Sequence, residues 1–420
     1  MQEKEKITRR KYLKYIGTIV GVAIVGSVGY YLFRSYGPGG ARTKVPPEGT
    51  PEWKKWKREE IGRPDPDERQ GTLHVYAWTG YDAPNVIGPF EKEYSPLKVD
   101  VAIMEDSAVT YNQFVGGQYK VYDVVSVDMD WVRAFAKANL IKPLDLDVWK
   151  PWTFDNYVDE FKNFRFSFVD TETWEFAKKW GEGTLYGFPM RIWYTGLGVN
   201  LEKIPIEEAM TYDICLQPDV RVGIAHRDFP NIWSLLLWAR VDPWKEHTDD
   251  EIKKVRELAI QLAENAVAIY PSFAAMNMAL ASGEVDIIFG YDNLTGYALR
   301  RDGHYEIDTV VPKEGAVVGT ETICLVNNPN LHPAADDIIR YYQSKEGAAR
   351  LSFPAEGQPC PVPIKGVEEE WTEEQRKIIR MDFAREQMSR CTWFQGVPDM
   401  EKFSDIWREM KVRVGKKRKS

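Results

Sequence analysis

Hydrophobic and polar residues divide this chain into three stretches of different texture. The first is a run without charge from residue 15 to residue 33, closed by Lys14 on one side and Arg34 on the other. At ~1.5 Å per helical residue, that run is nearly as long as the ~30 Å hydrocarbon core of a bilayer is thick. Residues 1–36 are therefore expected to hold a single transmembrane or signal helix. The second stretch, residues 37–71, mixes Pro38, Pro46, Pro47, Pro51, Pro64 and Pro66 with charged residues. Such a segment is expected to be an extended, semi-rigid linker, with at most a short helix near residues 53–60.

The third stretch begins at Thr72 and has the pattern of a globular domain. Residues 73–78 alternate like a strand, 85–94 read as a helix, 98–103 as a strand and 111–118 as a helix. An apolar strand at 123–127 and a helix at 130–139 follow. The pattern restarts with strands at 196–200, 220–225 and 285–290, and helices at 252–265, 273–282 and 333–353. Strands alternating with helices predict βαβ units and an α/β fold with a parallel sheet. Ligands of such sheets bind at the carboxyl ends of the strands. Those ends carry Trp78 and Tyr81, Asp128 and Asp130, and, in the second half, Asp228 and Tyr291-Asp292-Asn293.

Charge changes the reading of the first stretch. Arg9 and Arg10, followed by Leu13 and Lys14, resemble a twin-arginine export signal. Basic residues ahead of the span keep the N-terminus cytoplasmic and place the remaining chain outside. The apolar run ends in the bulky Tyr30-Tyr31-Leu32-Phe33-Arg34, a poor peptidase site, and no cysteine follows to take a lipid. An uncleaved membrane anchor is the expectation, with a removed signal and an ordinary single-span anchor as the alternatives.

Composition narrows the function. The net charge of −8 over 420 residues argues against nucleic acid as a partner, and the basic tail at 416–420 reads as a solvated end. Fifteen tryptophans and 21 tyrosines supply aromatic surface for a core and for a pocket. Cys215, Cys324, Cys360 and Cys391 form no C-x-x-C pair, so no zinc or redox motif is expected. A disulfide is permitted outside the membrane, and Cys360 with Cys391 is the pairing given weight, though the sequence leaves the choice open. Five scattered histidines with no H-E-x-x-H, and no G-x-S-x-G elbow, count against a hydrolase. Neither an enzyme nor a cofactor is expected; paired carboxylates acting in glycoside hydrolysis are the weaker alternative.

Several blocks then fall in a familiar order: 75–81 (Val-Tyr-Ala-Trp-Thr-Gly-Tyr), 122–125 with 140–145, 187–189 through 198–200, 279–286 (Ala-Leu-Ala-Ser-Gly-Glu-Val-Asp) and 312–315 (Pro-Lys-Glu-Gly). In this order they resemble the polyamine-binding proteins of ABC importers, within the type II extracellular solute-binding proteins. The resemblance covers roughly residues 72–362. It implies a two-lobed α/β fold with a ligand cleft at a hinge. Lobe I would hold residues 72–192 and 292–328, and lobe II residues 193–291 and 329–415. It implies a monomer that captures a small cationic solute such as spermidine or putrescine and hands it to an importer permease, with no metal.

By the same resemblance the ligand-contacting residues are Trp78, Tyr81, Asp128, Asp130, Asp228, Tyr291, Asp292, Asn293 and Glu321. A looser match adds Gln358. A polyamine needs carboxylates at intervals and aromatic faces along its methylenes, and this set supplies both. Each has a plainer reading: Asp128, Asp130 and Asp228 also suit helix caps, and Trp78 suits core. Arg191 and Arg227 depart from the pattern, because either could neutralise a pocket carboxylate. The adjacent Tyr341-Tyr342 would suit an iron site, but lie inside a helical run. The same fold serving another solute, or serving as a surface sensor, stays open.

Overall fold

The computed structural model describes residues 46–47, 49–61 and 68–417. The expected N-terminal span lies outside the described residues, and among them no helix is long and apolar enough to cross a membrane. Part of the expected linker is folded. Helix α1 (Pro51–Glu60) begins with a proline in its first turn, and its Thr50 cap accepts the Trp53 N–H at 3.1 Å. Lys54 reaches Asp145 at 3.3 Å and Asp147 at 2.7 Å, Lys57 pairs with Asp336, and Ile61 is buried. Residues 50–61 therefore pack against the globular body instead of standing off from it.

The expected βαβ units are present. Strands β1 (Thr72–Ala77), β2 (Lys98–Ile103) and β3 (Val124–Asp128) are parallel, with helices α2 (Pro84–Glu93) and α3 (Ser107–Val115) between them. Val124, Val125 and Val127 are all fully buried, as the unbroken apolar run of β3 requires for a central strand covered on both faces. Helix α4 (Val132–Lys137) follows.

One long strand joins the two halves. In β4 (Phe188–Asn200), residues 188–194 pair with the first sheet and residues 195–200 with the second. The second half of the molecule is built from β5 (Val222–Ala225), helices α5 (Asp228–Trp238) and α6 (Asp249–Asn265), β6 (Ala268–Tyr270) and helix α7 (Phe273–Ala281). It continues with β7 (Ile287–Asp292), helix α8 (Asn293–Arg301) and β8 (Ile307–Val310). The chain then returns through β9 (Ala316–Leu325), which lies between β3 and the first half of β4. Helices α9 (Ala335–Gln343) and α10 (Lys345–Ser352) and the short β10 (Cys391–Trp393), paired with β9, complete lobe I. Helix α11 (Met400–Lys417) crosses back and packs on α6. The strand order is β2-β1-β3-β9-β4-β7-β5-β6, with β8 beside β4.

This connectivity corrects the expected lobe boundaries. Residues 292–310 belong to lobe II, because β8 pairs Ile307 with Asn200 and Val310 with Leu197 on the second half of β4. Residues 335–393 belong to lobe I, because Ile338, Ile339, Tyr342 and Ala348 are buried in the same core as Val75 and Val125. Only α11, through Phe403, Ile406, Trp407 and Met410, joins the core of lobe II. The chain thus crosses between lobes at β4, at residues 311–315 and at residues 394–399. The weighted Cys360–Cys391 disulfide is also absent: all four cysteines are free, and the Cys360 thiol points at the Pro361 and Ile192 carbonyls.

Candidate functional site

The carboxyl ends of β1 and β3 open side by side at the junction of the lobes and place Trp78 and Asp128 there. Asp128 accepts the Ser107 hydroxyl at 3.1 Å, and its own N–H donates back to that oxygen at 3.1 Å. The register of β9 sets Glu321 directly opposite Asp128. Directly opposed like charges repel, and the structure manages this with an arginine. Arg191, from the first half of β4, lies 3.3 Å from Glu321, and both side chains are almost fully buried. Its guanidinium also donates to the carbonyls of Thr79 at 3.0 Å and Gln358 at 3.1 Å. One buried cation therefore fixes the loop after β1, the loop after α10 and the central strand β9. Gly80 permits the close approach of the two loops: at φ +108° a side chain is disfavoured, and a Cβ there would meet Pro354 at 3.0 Å.

Burial dominates the electrostatics. It pushes the Asp128 carboxyl up to about 6, against the Ser107 hydrogen bond and the field of Arg227. Burial and then the charge of Asp128 push Asp130 well above the usual carboxylate range. Burial pushes Glu321 up to about 7 even with Arg191 beside it. One oxygen of Asp130 and the indole N–H of Trp78 are buried with no protein partner. The second oxygen of Glu321 is likewise buried without a protein partner, and unpaired buried polar groups are costly.

Lobe II contributes the strand ends of β5 and β7. Arg227 caps α5 and pairs with Asp292, while its guanidinium lies over Phe273 at 5.3 Å. Asp292 also caps α8, accepting the Thr295 N–H at 2.8 Å. Asp228, in the first turn of α5, is exposed.

Three of the expected contact residues are spent inside the protein. Tyr81 is fully buried, with Ser126 at 3.4 Å and its ring against Tyr342. Tyr291 donates to Asn277 at 2.6 Å, and its ring occupies the space a side chain at Gly198 would need. Asn293 accepts the Tyr194 N–H at 2.8 Å and donates to the Ile192 carbonyl at 3.2 Å, so its amide bonds the crossing point of β4 as a strand would. Gln358 approaches Thr295 of lobe II at 3.5 Å. What the structure links is Asp128 at the end of β3, the Arg191–Glu321 pair opposite it on β9, and the Arg227–Asp292 pair of lobe II, whose guanidinium acts on Asp128; Trp78 and Asp130 stand at the strand ends of lobe I, and Asp228 is exposed on α5.

Sequence reading missed the aromatic floor between the lobes. Trp193 stacks on Trp233 with ring centroids 6.2 Å apart, and Trp233 meets Phe394 at 4.3 Å. The N–H of Trp193 also favours the ionised form of Asp128. The signal was available: Trp193 is two residues from Arg191, and strand alternation puts both on one face. A cavity of about 530 Å³ lined by Trp152, Arg340, Gln343 and Lys365 lies elsewhere on lobe I, away from the strand ends.

Comparison with known proteins agrees with this architecture. Residues 85–372 match the family model described as bacterial extracellular solute-binding protein. The putrescine-binding periplasmic protein of Escherichia coli (strain K12) is 22% identical over 321 residues, 71% of this chain and 81% of that protein. The spermidine/putrescine-binding periplasmic protein 1 of Haemophilus influenzae is 25% identical over 294 residues, 67% of this chain and 73% of that protein. The crystal structure of a spermidine/putrescine ABC transporter substrate-binding protein from Streptococcus pneumoniae superposes with a TM-score of 0.65 at 15% identity, covering 82% of this chain and 100% of that one, which shows a common fold. With the family model spanning most of the globular part and the cleft lying where its two lobes meet, the chain belongs to the bacterial extracellular solute-binding protein family.

Proposed function

We propose that this protein is an extracytoplasmic receptor that captures a linear polyamine, putrescine or spermidine, between its lobes and delivers it to the permease of an ABC importer. The observation that carries the reading is the acidic pair Asp128 and Asp130 at the end of β3. It is half-buried, holds one fully buried carboxylate oxygen without a partner, and has the Trp193 N–H beside Asp128. An ammonium group seated there replaces a missing hydrogen bond and stabilises the ionised carboxylates, while indole faces cover the methylenes. The named ligands of the curated relatives support the same class. On this reading the protein acts by binding and lobe closure, with no catalytic step, and an N-terminal helix anchors it at the outer face of the membrane.

The test is a thermal-shift and calorimetric screen of the globular part with putrescine, spermidine, amino acids, betaines and sugars. A ligand at 1,000 times its dissociation constant stabilises by about 4 kcal/mol. Polyamines should give the largest shift, and Asp128→Asn should abolish it. A shift with neutral or anionic solutes and none with polyamines refutes the assignment.

A further inference from the structure

We propose that lobe I carries a second binding site, separate from the cleft, that takes a small organic oxyanion, a carboxylate or a phosphate ester. It lies in the cavity of about 530 Å³ between the turns at residues 150–156, the end of α9, the start of α10 and residues 364–365. The chain as a whole is acidic, yet this cavity is basic: Arg340, Lys345 and Lys365 line it against a single carboxylate, Asp155. The site stands whether or not the cleft takes an amine.

Most polar groups of the cavity are already spent. Asp155 is paired with Lys150. Lys345 is held by Glu369 at 2.5 Å and Glu370 at 3.5 Å. Gln343 accepts the Tyr157 hydroxyl at 2.6 Å and donates to the Pro189 carbonyl at 3.2 Å. Arg340 and Lys365 differ, because among the described residues neither has a carboxylate within ion-pair distance. Arg340 also borders a smaller cavity with Glu93, Asp337 and Glu346, but there Glu346 pairs with Arg350 at 3.0 Å and Asp337 meets the Tyr94 hydroxyl.

Arg340 is half-buried, its guanidinium lies over the Trp152 ring at 4.2 Å, and its Nε has no partner. Stacking uses the flat face of the group and fixes its plane, while the N–H groups along its edge stay unspent. Such an edge matches two oxygens of a carboxylate or phosphate. A partly desolvated cation without a counterion is costly, and an anion on its terminal nitrogens removes that cost. Lys365 is exposed and brings a second unpaired charge to the same cavity. The volume lies within the range of roughly 300–1,000 Å³ typical of small-molecule sites, more than an inorganic ion fills.

Calorimetry on the folded protein at fixed ionic strength tests this, with succinate, citrate, glycerol 3-phosphate and inorganic phosphate as probes. At least one organic anion should bind with a dissociation constant below about 1 mM. Arg340→Gln and Lys365→Gln should each weaken it by about tenfold or more. Lys98→Gln, an exposed lysine paired with Glu91 elsewhere on lobe I, should leave it unchanged. Binding of succinate or citrate identifies a carboxylate site, and binding of glycerol 3-phosphate alone a phosphate-ester site. Should Arg340→Gln fail to fold, Lys365→Gln carries the test, since that side chain is exposed. The proposal is overturned if no organic anion binds below about 1 mM, if neither substitution weakens binding, or if Lys98→Gln weakens it equally. Inorganic phosphate binding as tightly as the organic anions also overturns it, because the site would then be a simple ion contact.

Discussion

Replacing Asp128 by Asn should make the empty protein more stable at pH 8 while destroying its binding. Burial raises the Asp128 carboxyl from its ordinary value of 3.8 to about 6 in the folded protein. The folded state therefore holds that proton more tightly than the unfolded chain does. Between about pH 4 and pH 6 the folded state binds more protons, so stability from this group falls as pH rises through that window. The difference of about two units corresponds to roughly 3 kcal/mol lost by pH 8. Asn keeps the size and can keep the Ser107 hydrogen bond, but carries no charge to desolvate. In urea denaturation the variant should exceed wild type by about 1–3 kcal/mol at pH 8, and the gap should close at pH 4. Ligand affinity of the wild type should follow the same proton. Apparent affinity should drop about tenfold at pH 5, where a carboxyl of pKa about 6 is mostly protonated, against almost no change for one of 3.8. A variant less stable than wild type at pH 8, or one whose advantage persists at pH 4, refutes the reasoning.

Other substitutions probe the supports of the site. Arg191→Met should cost about 3–5 kcal/mol in chemical denaturation, because it leaves Glu321 buried beside Asp128 and releases two loops; a loss below 1 kcal/mol would show that the pair is dispensable. Gly319→Ala would place a Cβ 2.3 Å from the Trp193 ring, so a cost of about 1–3 kcal/mol and a changed tryptophan emission are expected, and an unchanged spectrum would contradict that packing. Asn293→Ala removes both bonds of the amide to β4 and strands a buried N–H and a buried carbonyl; denaturation should reveal a loss of about 2–4 kcal/mol, whereas Asn293→Ala at wild-type stability would mean that β4 holds its crossing unaided.

Local periodicity carried most of the first βαβ units. The residues 98–103 expected as a strand form β2, and of the expected 123–127, residues 124–127 lie in β3, which runs on to Asp128. The lobe assignment of residues 292–310 and 335–393 was not legible, because it depends on which half of β4 the strand β8 finds and which core α9 enters. The site divided in the same way. Position at a strand end made Trp78, Asp128 and Asp130 candidates. It could not separate them from Tyr291 and Asn293, which stand at an equivalent strand end but turn inward to Asn277 and β4. The arginines were visible as departures from a pattern, and only the folded arrangement shows which carboxylate each one holds.

The position of β9 has a consequence for how this chain comes to be folded. It is a central strand of lobe I, between β3 and β4, yet it is made only after residues 195–310, which hold the strands of lobe II. At about 5–20 residues per second, the ~120 residues between Tyr194 and Ala316 separate the two by some 6–24 seconds of synthesis. Through that interval β3 and β4 present unpaired edges and an apolar face, the state most open to mispairing. Lobe II has all its strands in hand before β9 is made, though its core is completed only by α11, and lobe I closes around a strand that must be threaded between two waiting neighbours.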